Sequence, residues 1–160
     1  MAKQTIKVGN KAPAFSLPDQ NGRKVSLKDV SGKWAVLYFY PKDDTPGCAK
    51  EACEFTSQLA QFEKLDARVI GVSPDSQESH QKFIRKHKLK LDLLSDPDHK
   101  TLARYGAWGE KSMYGRKYEG VLRSTVLIDP AGNIGYHWPK VKPAGHADEV
   151  RAKLAELSHT

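Results

Sequence analysis

Runs of apolar residues alternate with helically spaced ones along most of the chain. Ala35 to Tyr40 is apolar at every position and stops at Pro41, as expected of a central strand covered on both faces. Arg68 to Ser73 predicts a second buried strand, Leu91 to Leu94 a short one, and Thr125 to Asp129 another. The turn Pro130-Ala-Gly-Asn133 leads into Ile134 to Trp138 as a hairpin. Near the start, Phe15–Leu17 and Val25–Leu27 flank the turn Asp19-Gln-Asn-Gly22 as a further hairpin. Helical spacing links Ala52, Phe55, Leu59 and Phe62 in one helix that begins at Thr45. A second helix runs from Glu78 to Lys88 with Phe83, Ile84 and His87 along one side. A brief one follows Asp96 as far as Tyr105, and Val150, Leu154 and Leu157 mark a closing helix. Gly106 to Gly120 reads as a polar, glycine-rich loop holding Trp108, Met113, Tyr114 and Tyr118. The order predicts an α/β fold, a mixed central β-sheet flanked by helices with an added N-terminal β-hairpin. No repeat or linker divides residues 1–160, so a single domain is expected.

Composition narrows the function classes. Hydrophobic residues make up 39% and charged residues 28%, which suits a packed domain. No apolar run is long enough to span a membrane. Lys and Arg outnumber acids 26 to 19, for a net charge of +7, but the basic residues are scattered without a DNA-binding motif. No specific nucleic acid is expected as a partner. The N-terminal Met-Ala-Lys-Gln-Thr-Ile-Lys lacks the apolar core of a signal peptide. The expected place is a reducing cytoplasm, where a cysteine pair is more often redox-active than structural.

Both cysteines lie in one stretch, Pro41-Lys-Asp-Asp-Thr-Pro-Gly-Cys48-Ala-Lys-Glu-Ala-Cys53. Lys42, Asp43 and Asp44 read as an exposed turn. Thr45 is a plausible N-cap and Pro46 suits the first helical position. Cys48 then falls in the first turn, where unpaired N–H groups and the helix dipole favour a thiolate. Cys53 lies about 140° around an ideal helix from Cys48, with Cα atoms roughly 8.6 Å apart, beyond the ~7 Å reach of a disulfide. A bond between them requires the helix to unwind. That suits a bond made and released repeatedly better than a permanent staple. The alternative is a pair of unremarkable, partly buried thiols.

The pattern Pro41-x-x-x-Thr45-x-x-Cys48 resembles the active-site signature of the peroxiredoxins. The longer Asp-Asp-Thr-Pro-Gly-Cys-x-x-Glu-Ala-Cys resembles their Q branch, also called bacterioferritin comigratory protein, and the likeness runs from Val8 to the last helix. The resemblance implies a thioredoxin-like fold and a peroxidase that needs no cofactor or metal. Cys48 would attack a peroxide, and Cys53 would resolve the resulting sulfenic acid as an intrachain disulfide. Thioredoxin or a similar dithiol would reduce it. An intrachain resolving cysteine leaves no need for a dimer, so a monomer is expected. Arg123, just before Ser-Thr-x-x-Ile-Asp129, stands where the family keeps its site arginine. Pro41 would shield the thiolate, and Glu51 reads equally well as a participant or a solvated helix residue. Ala49 and Glu119 depart from the common family residues without touching the chemistry.

A lowered thiol pKa is not enough to explain fast peroxide chemistry. Moving a thiol from ~8.5 to ~6 raises its thiolate fraction at neutral pH roughly 30-fold. The accompanying loss of nucleophilicity returns about 13-fold of that. Donors converging on the peroxide oxygens must supply the rest; the Thr45 hydroxyl, the N–H groups of Gly47 and Cys48, and Arg123 are the candidates. A thioredoxin-type reductase normally has two residues between its cysteines, against four here. The six histidines are too scattered for a metal site with the two cysteines.

Overall fold

The computed structural model describes residues 6–158; Met1–Thr5, part of the stretch read for targeting, and His159–Thr160 lie outside the described residues. β1 (Ser16–Pro18) and β2 (Lys24–Ser26) form the antiparallel hairpin expected at the N-terminus. Asp19 organises its turn by accepting from the backbone N–H groups of Asn21 and Arg23, while Gly22 takes φ 80°. β3 (Trp34–Phe39) leads to α1 (Pro46–Ser57) and α2 (Leu59–Lys64), then β4 (Ala67–Ser73), α3 (Gln77–His87), β5 (Asp92–Ser95) and α4 (Lys100–Arg104). β6 (Trp108–Met113), β7 (Arg116–Val121), β8 (Ser124–Ile128), β9 (Ile134–Trp138) and α5 (His146–Ser158) complete the chain.

The central sheet has the order β5-β4-β3-β8-β9. β3, β4 and β5 run parallel, whereas β8 is antiparallel to β3 and β9 to β8, so the sheet is mixed as expected. Side-chain alternation divides β3 between two cores. Ala35, Leu37 and Phe39 pack with Phe15, Val25, Leu102 and Tyr105. Val36, Tyr38 and Tyr40 pack with Cys48, Ala52, Phe55, Phe62, Phe83, Val150 and Leu154 of the helices. The continuous apolar run is thus the signature of a strand with a core on each side.

Two expectations need correction. The helix from Thr45 through Phe62 is two helices, broken at Gln58, whose backbone moves to φ −106° and ψ 7°. Tertiary bonds hold that residue: its amide donates to Asp148 at 2.7 Å and accepts from Arg151 Nε at 2.9 Å, both on α5. The segment 106–120 is a hairpin rather than a loop, with β6 paired antiparallel to β7. Its two-residue turn, Tyr114-Gly115, has φ 52° and 79°. Such turns usually announce themselves as Asn-Gly or Asp-Gly. The tyrosine hides the turn, and the exposed Met113, Tyr114 and Tyr118 leave no apolar alternation to read.

Close packing between β4 and its neighbours depends on Gly71. A Cβ there would lie 2.8 Å from Tyr38 Cζ and 2.9 Å from Leu93 Cδ2, both on buried side chains. Gly71→Ala should therefore lower stability by about 1–3 kcal/mol in urea unfolding. An unchanged midpoint would show that these side chains yield more freely than a close-packed core allows.

Candidate active site

The sheet topology brings the candidate residues together. In the β3–β8 pairing Phe39 faces Ser124, so the chain leaving β3 and the chain entering β8 meet at one end of the two central strands. The first runs through residues 40–45 into α1, and the second carries Arg123. Thr45 has the extended backbone of an N-cap (φ −79°, ψ 154°), Pro46 opens α1, and Cys48 is its third residue. Cys48 and Glu51, one turn apart, share the inner face of the helix, each with only 1% of its surface exposed. Arg123 reaches both: Nη2 lies 3.1 Å from Cys48 Sγ and Nη1 donates to Glu51 Oε1 at 2.7 Å. Its guanidinium fork holds a sulfur and a carboxylate in one plane of donors. Gly47 packs beside the guanidinium, and a Cβ there would make ordinary contact, 3.4 Å, with Arg123 Nη2 and Pro143 Cγ.

The electrostatics follow from burial. Desolvation pushes the Glu51 carboxyl up from 4.5 to about 7, against the pull of Arg123. Burial alone would lower the Arg123 guanidinium, but Cys48 and Glu51 together leave it raised, so it stays charged. Tyr38, stacked on Phe55 at 4.8 Å, is pushed far up by burial and then by Glu51 and Cys48, so it remains a neutral phenol. Among the described residues, Tyr38 Oη and Glu51 Oε2 are buried with no hydrogen-bond partner. The site is a nearly dry pocket in which one fixed cation faces a sulfur and a carboxyl.

Cys48 and Arg123 are brought together as the sequence implies. Thr45 and Pro41 lie on the same loop, half-buried. The Thr45 hydroxyl makes no cap bond and donates instead to the Lys42 carbonyl at 3.1 Å. Cys53 is exposed and both thiols are free. Glu51 is no solvated helix residue: it is buried and ion-paired. Asp43 is likewise no part of an exposed turn, being 8% exposed and 2.7 Å from His80 Nδ1. Neither His80 nor the partnership with Asp43 could be read from spacing, since the two lie 37 residues apart. The heptad-like position of His80 one turn before Phe83 and Ile84 was the available sign that it faces inward. Among the described residues, Asp43, Asp75 and His80 bring three potential metal-ligand atoms within 4.8 Å of one another. Their hydrogen bonds to Tyr40, Ser79, Ser73 and the Leu94 carbonyl already occupy these groups.

Comparison with known proteins shows the family of the chain. Residues 8–137 match the model of the AhpC/TSA family. The chain is 49% identical to a putative peroxiredoxin bcp of Coxiella burnetii, over 94% of its own length and 99% of that protein's. It is 47% identical to peroxiredoxin Bcp of Bacillus subtilis, over 96% and 98%. Peroxiredoxin Q of Xanthomonas campestris superposes with a TM-score of 0.89 at 39% identity, covering 94% of this chain and 98% of that one. A second Xanthomonas campestris structure, of a bacterioferritin comigratory protein studied for alkyl peroxide reduction, gives 0.89 at 38% identity over 95% and 99%.

The raised Glu51 makes stability depend on pH with a definite sign. Below about 4.5 the carboxyl is protonated in both folded and unfolded chains and contributes no difference. Between 4.5 and about 7 only the folded chain holds the proton, so stability falls as pH rises. Above that window the loss is complete, on the order of 3 kcal/mol. Glu51→Gln keeps the bond to Arg123 without a titrating proton. Urea unfolding of the reduced proteins from pH 5 to 8 should show wild type losing stability relative to Glu51→Gln. A difference independent of pH would contradict the burial argument.

Proposed function

Because the chain belongs to the AhpC/TSA family, among the Bcp peroxiredoxins, we propose that Cys48 is its peroxide-attacking thiol, Cys53 its resolving thiol and Arg123 its charged donor. The protein is a thiol-dependent peroxidase of thioredoxin-like fold, acting on peroxides with a thiol reductant. The observation that carries the residue assignment is the 3.1 Å contact between Arg123 Nη2 and the buried Cys48 Sγ at the start of α1.

The Cys48 thiolate attacks the outer peroxide oxygen. The S–O bond forms as the O–O bond breaks, the sulfur is oxidised to a sulfenic acid, and the departing oxygen leaves as water or an alcohol after taking a proton. Negative charge spreads from sulfur onto both oxygens in the transition state. Arg123 and the N–H groups of the first helical turn are preorganised donors to that charge. The Thr45 hydroxyl, which donates to Lys42 O, turns to the peroxide when substrate enters, and Pro41 walls the thiolate from water. The thiol of Cys53 then displaces hydroxide from the sulfenic sulfur, forming a disulfide and water. Both cysteines lie within the continuous helix Pro46–Ser57, one inward and one outward, so the helix unwinds for this step. An external dithiol of the thioredoxin type restores the two thiols. The 160 residues act as one domain, as a monomer, in the cytoplasm. No helix of the described residues is long and apolar enough to cross a membrane.

Arg123→Ala removes one charged donor and should slow single-turnover oxidation by about 30- to 900-fold, which is ~2–4 kcal/mol of transition-state stabilisation. Stopped-flow oxidation at the wild-type rate would rule the role out.

Cys53→Ser leaves the attacking group intact. It should react once with peroxide, stop at a Cys48 sulfenic acid trappable by dimedone, and over-oxidise in excess peroxide. Wild type should instead yield a Cys48–Cys53 disulfide by peptide mapping. An interchain bond in its place would require a dimer mechanism.

A further inference from the structure

The loop from β3 to α1 is held by a buried polar knot that the peroxide chemistry does not use. Asp43 lies five residues before Cys48 and is 8% exposed, and His80 of α3 is fully buried. Asp43 Oδ1 accepts from the Tyr40 hydroxyl at 2.7 Å, and Oδ2 accepts from the Ser79 hydroxyl at 2.8 Å. Oδ2 also meets His80 Nδ1 at 2.7 Å. The backbone N–H of Asp43 donates to Asp75 Oδ2 at 2.8 Å, and Asp75 is fixed in turn by the Ser73 hydroxyl at 2.7 Å. His80 Nε2 lies 3.0 Å from the Leu94 carbonyl, an obligate acceptor, so that nitrogen carries a proton. A bare Nδ1 facing a carboxylate would repel it, so a second proton lies between Nδ1 and Oδ2. Asp43 thus ties the end of β3 to α3 through its carboxylate and to the chain after β4 through its N–H, and His80 extends the tie to β5.

A buried polar pair of this kind is a poor source of net stability. Apolar residues of the same volume often serve as well or better, and what such pairs secure is one geometry. The geometry secured here is that of residues 40–45, which link β3 to Cys48's helix and include Pro41 and Thr45. At the other side of Cys48, the ties of α1 and its C-cap include the Arg123–Glu51 pair, the bonds from the Gly145 N–H to Glu54 and from the Lys90 N–H to Thr56, and those of Gln58 with Asp148 and Arg151. Of these, the Arg123–Glu51 pair lies within the segment that disulfide formation must unwind.

We propose that Asp43 and His80 are positioning residues for the peroxidase reaction, a clamp that fixes the loop carrying Pro41 and Thr45 and sets the N-terminal boundary of the unwinding between Cys48 and Cys53. The clamp holds while the first turns of α1 open, so the reduced site re-forms against a fixed end. This inference rests on the roles given above to Cys48 and Cys53.

The Asp43 N–H is a direct reporter, because its acceptor, Asp75, lies in the clamp. The Ala49 N–H, which donates to Thr45 O at 2.8 Å, reports on the first helical turn. Amide exchange of wild-type protein, reduced and peroxide-oxidised, is followed at both by NMR. On oxidation Ala49 should lose protection while Asp43 keeps it. Equal loss at both would overturn the clamp. If no disulfide forms at all, the resolving role of Cys53 fails instead, and the two failures are told apart by peptide mapping. Asp43→Asn and His80→Gln then test positioning. Each should slow Cys48 oxidation about tenfold, as displaced catalytic groups do. In oxidised Asp43→Asn the exchange should spread back through residue 43. A folded variant oxidised within twofold of the wild-type rate would refute the role in catalysis. Should neither variant fold, the wild-type exchange comparison still decides the boundary.

Discussion

Everything in the site depends on one guanidinium held between two groups that compete for it. Arg123 is mostly buried, with 17% of its side chain exposed, and it faces Cys48 Sγ and the Glu51 carboxyl within hydrogen-bonding distance. A cation in so dry a place requires compensating charge. If Glu51 is ionised, the cation is matched before the thiol gives up its proton. If Glu51 is neutral, the cation is free to favour the thiolate. Burial raises the carboxyl to about 7, so near neutral pH a large share of it stays protonated and leaves the cation to the sulfur and to the oxygens it attacks. The helix N-terminus adds to the same potential from the opposite direction.

That arrangement conflicts with the next chemical step, and the fold accommodates the conflict locally. The helix that places Cys48 inward places Cys53 outward on the same continuous turns. Reactivity needs the helix, and resolution needs its loss. Short helices derive most of their stability from packing rather than propensity, and α1 meets the core through Cys48, Ala52 and Phe55. Opening the segment from Cys48 to Cys53 gives up the burial of Cys48 and Ala52 and the Arg123–Glu51 pair, but leaves Phe55 in the core. The anchors at its two ends lie outside the segment that must open, in the Asp43 loop and at Gln58.

Legibility in the sequence followed the range of each interaction. Cys48, Thr45 and Pro41 could be found because capping, turn chemistry and helical register act over a few residues. The strands could be found because continuous apolar runs and alternation are local patterns. Asp43 reads as exposed because three polar residues after a proline look like any surface turn, and its partner His80 comes from α3, far along the chain. Glu51 is ambiguous in the sequence for the same reason: the guanidinium that pairs with it is 72 positions away. The hairpin Trp108–Val121 reads as a loop because most of its strand residues stand away from the core, so their faces carry no hydrophobic code.

What the amino-acid sequence determined by itself was the local chemistry. It specified a thiol in the first turn of a helix after a strand, a second thiol on the far face, and an α/β order of elements. Propensity, capping and the 3.6-residue period are properties of neighbouring residues. Tertiary structure alone decided which charges meet. The antiparallel entry of β8 beside the exit of β3 put Arg123 over Cys48. The packing of α3 against the loop closed Asp43 onto His80. Burial, which belongs to no residue singly, made Glu51 a proton-holding carboxyl rather than a surface acid. Electrostatics in a dry interior depends on distance in space and on excluded water, and a one-dimensional pattern carries neither.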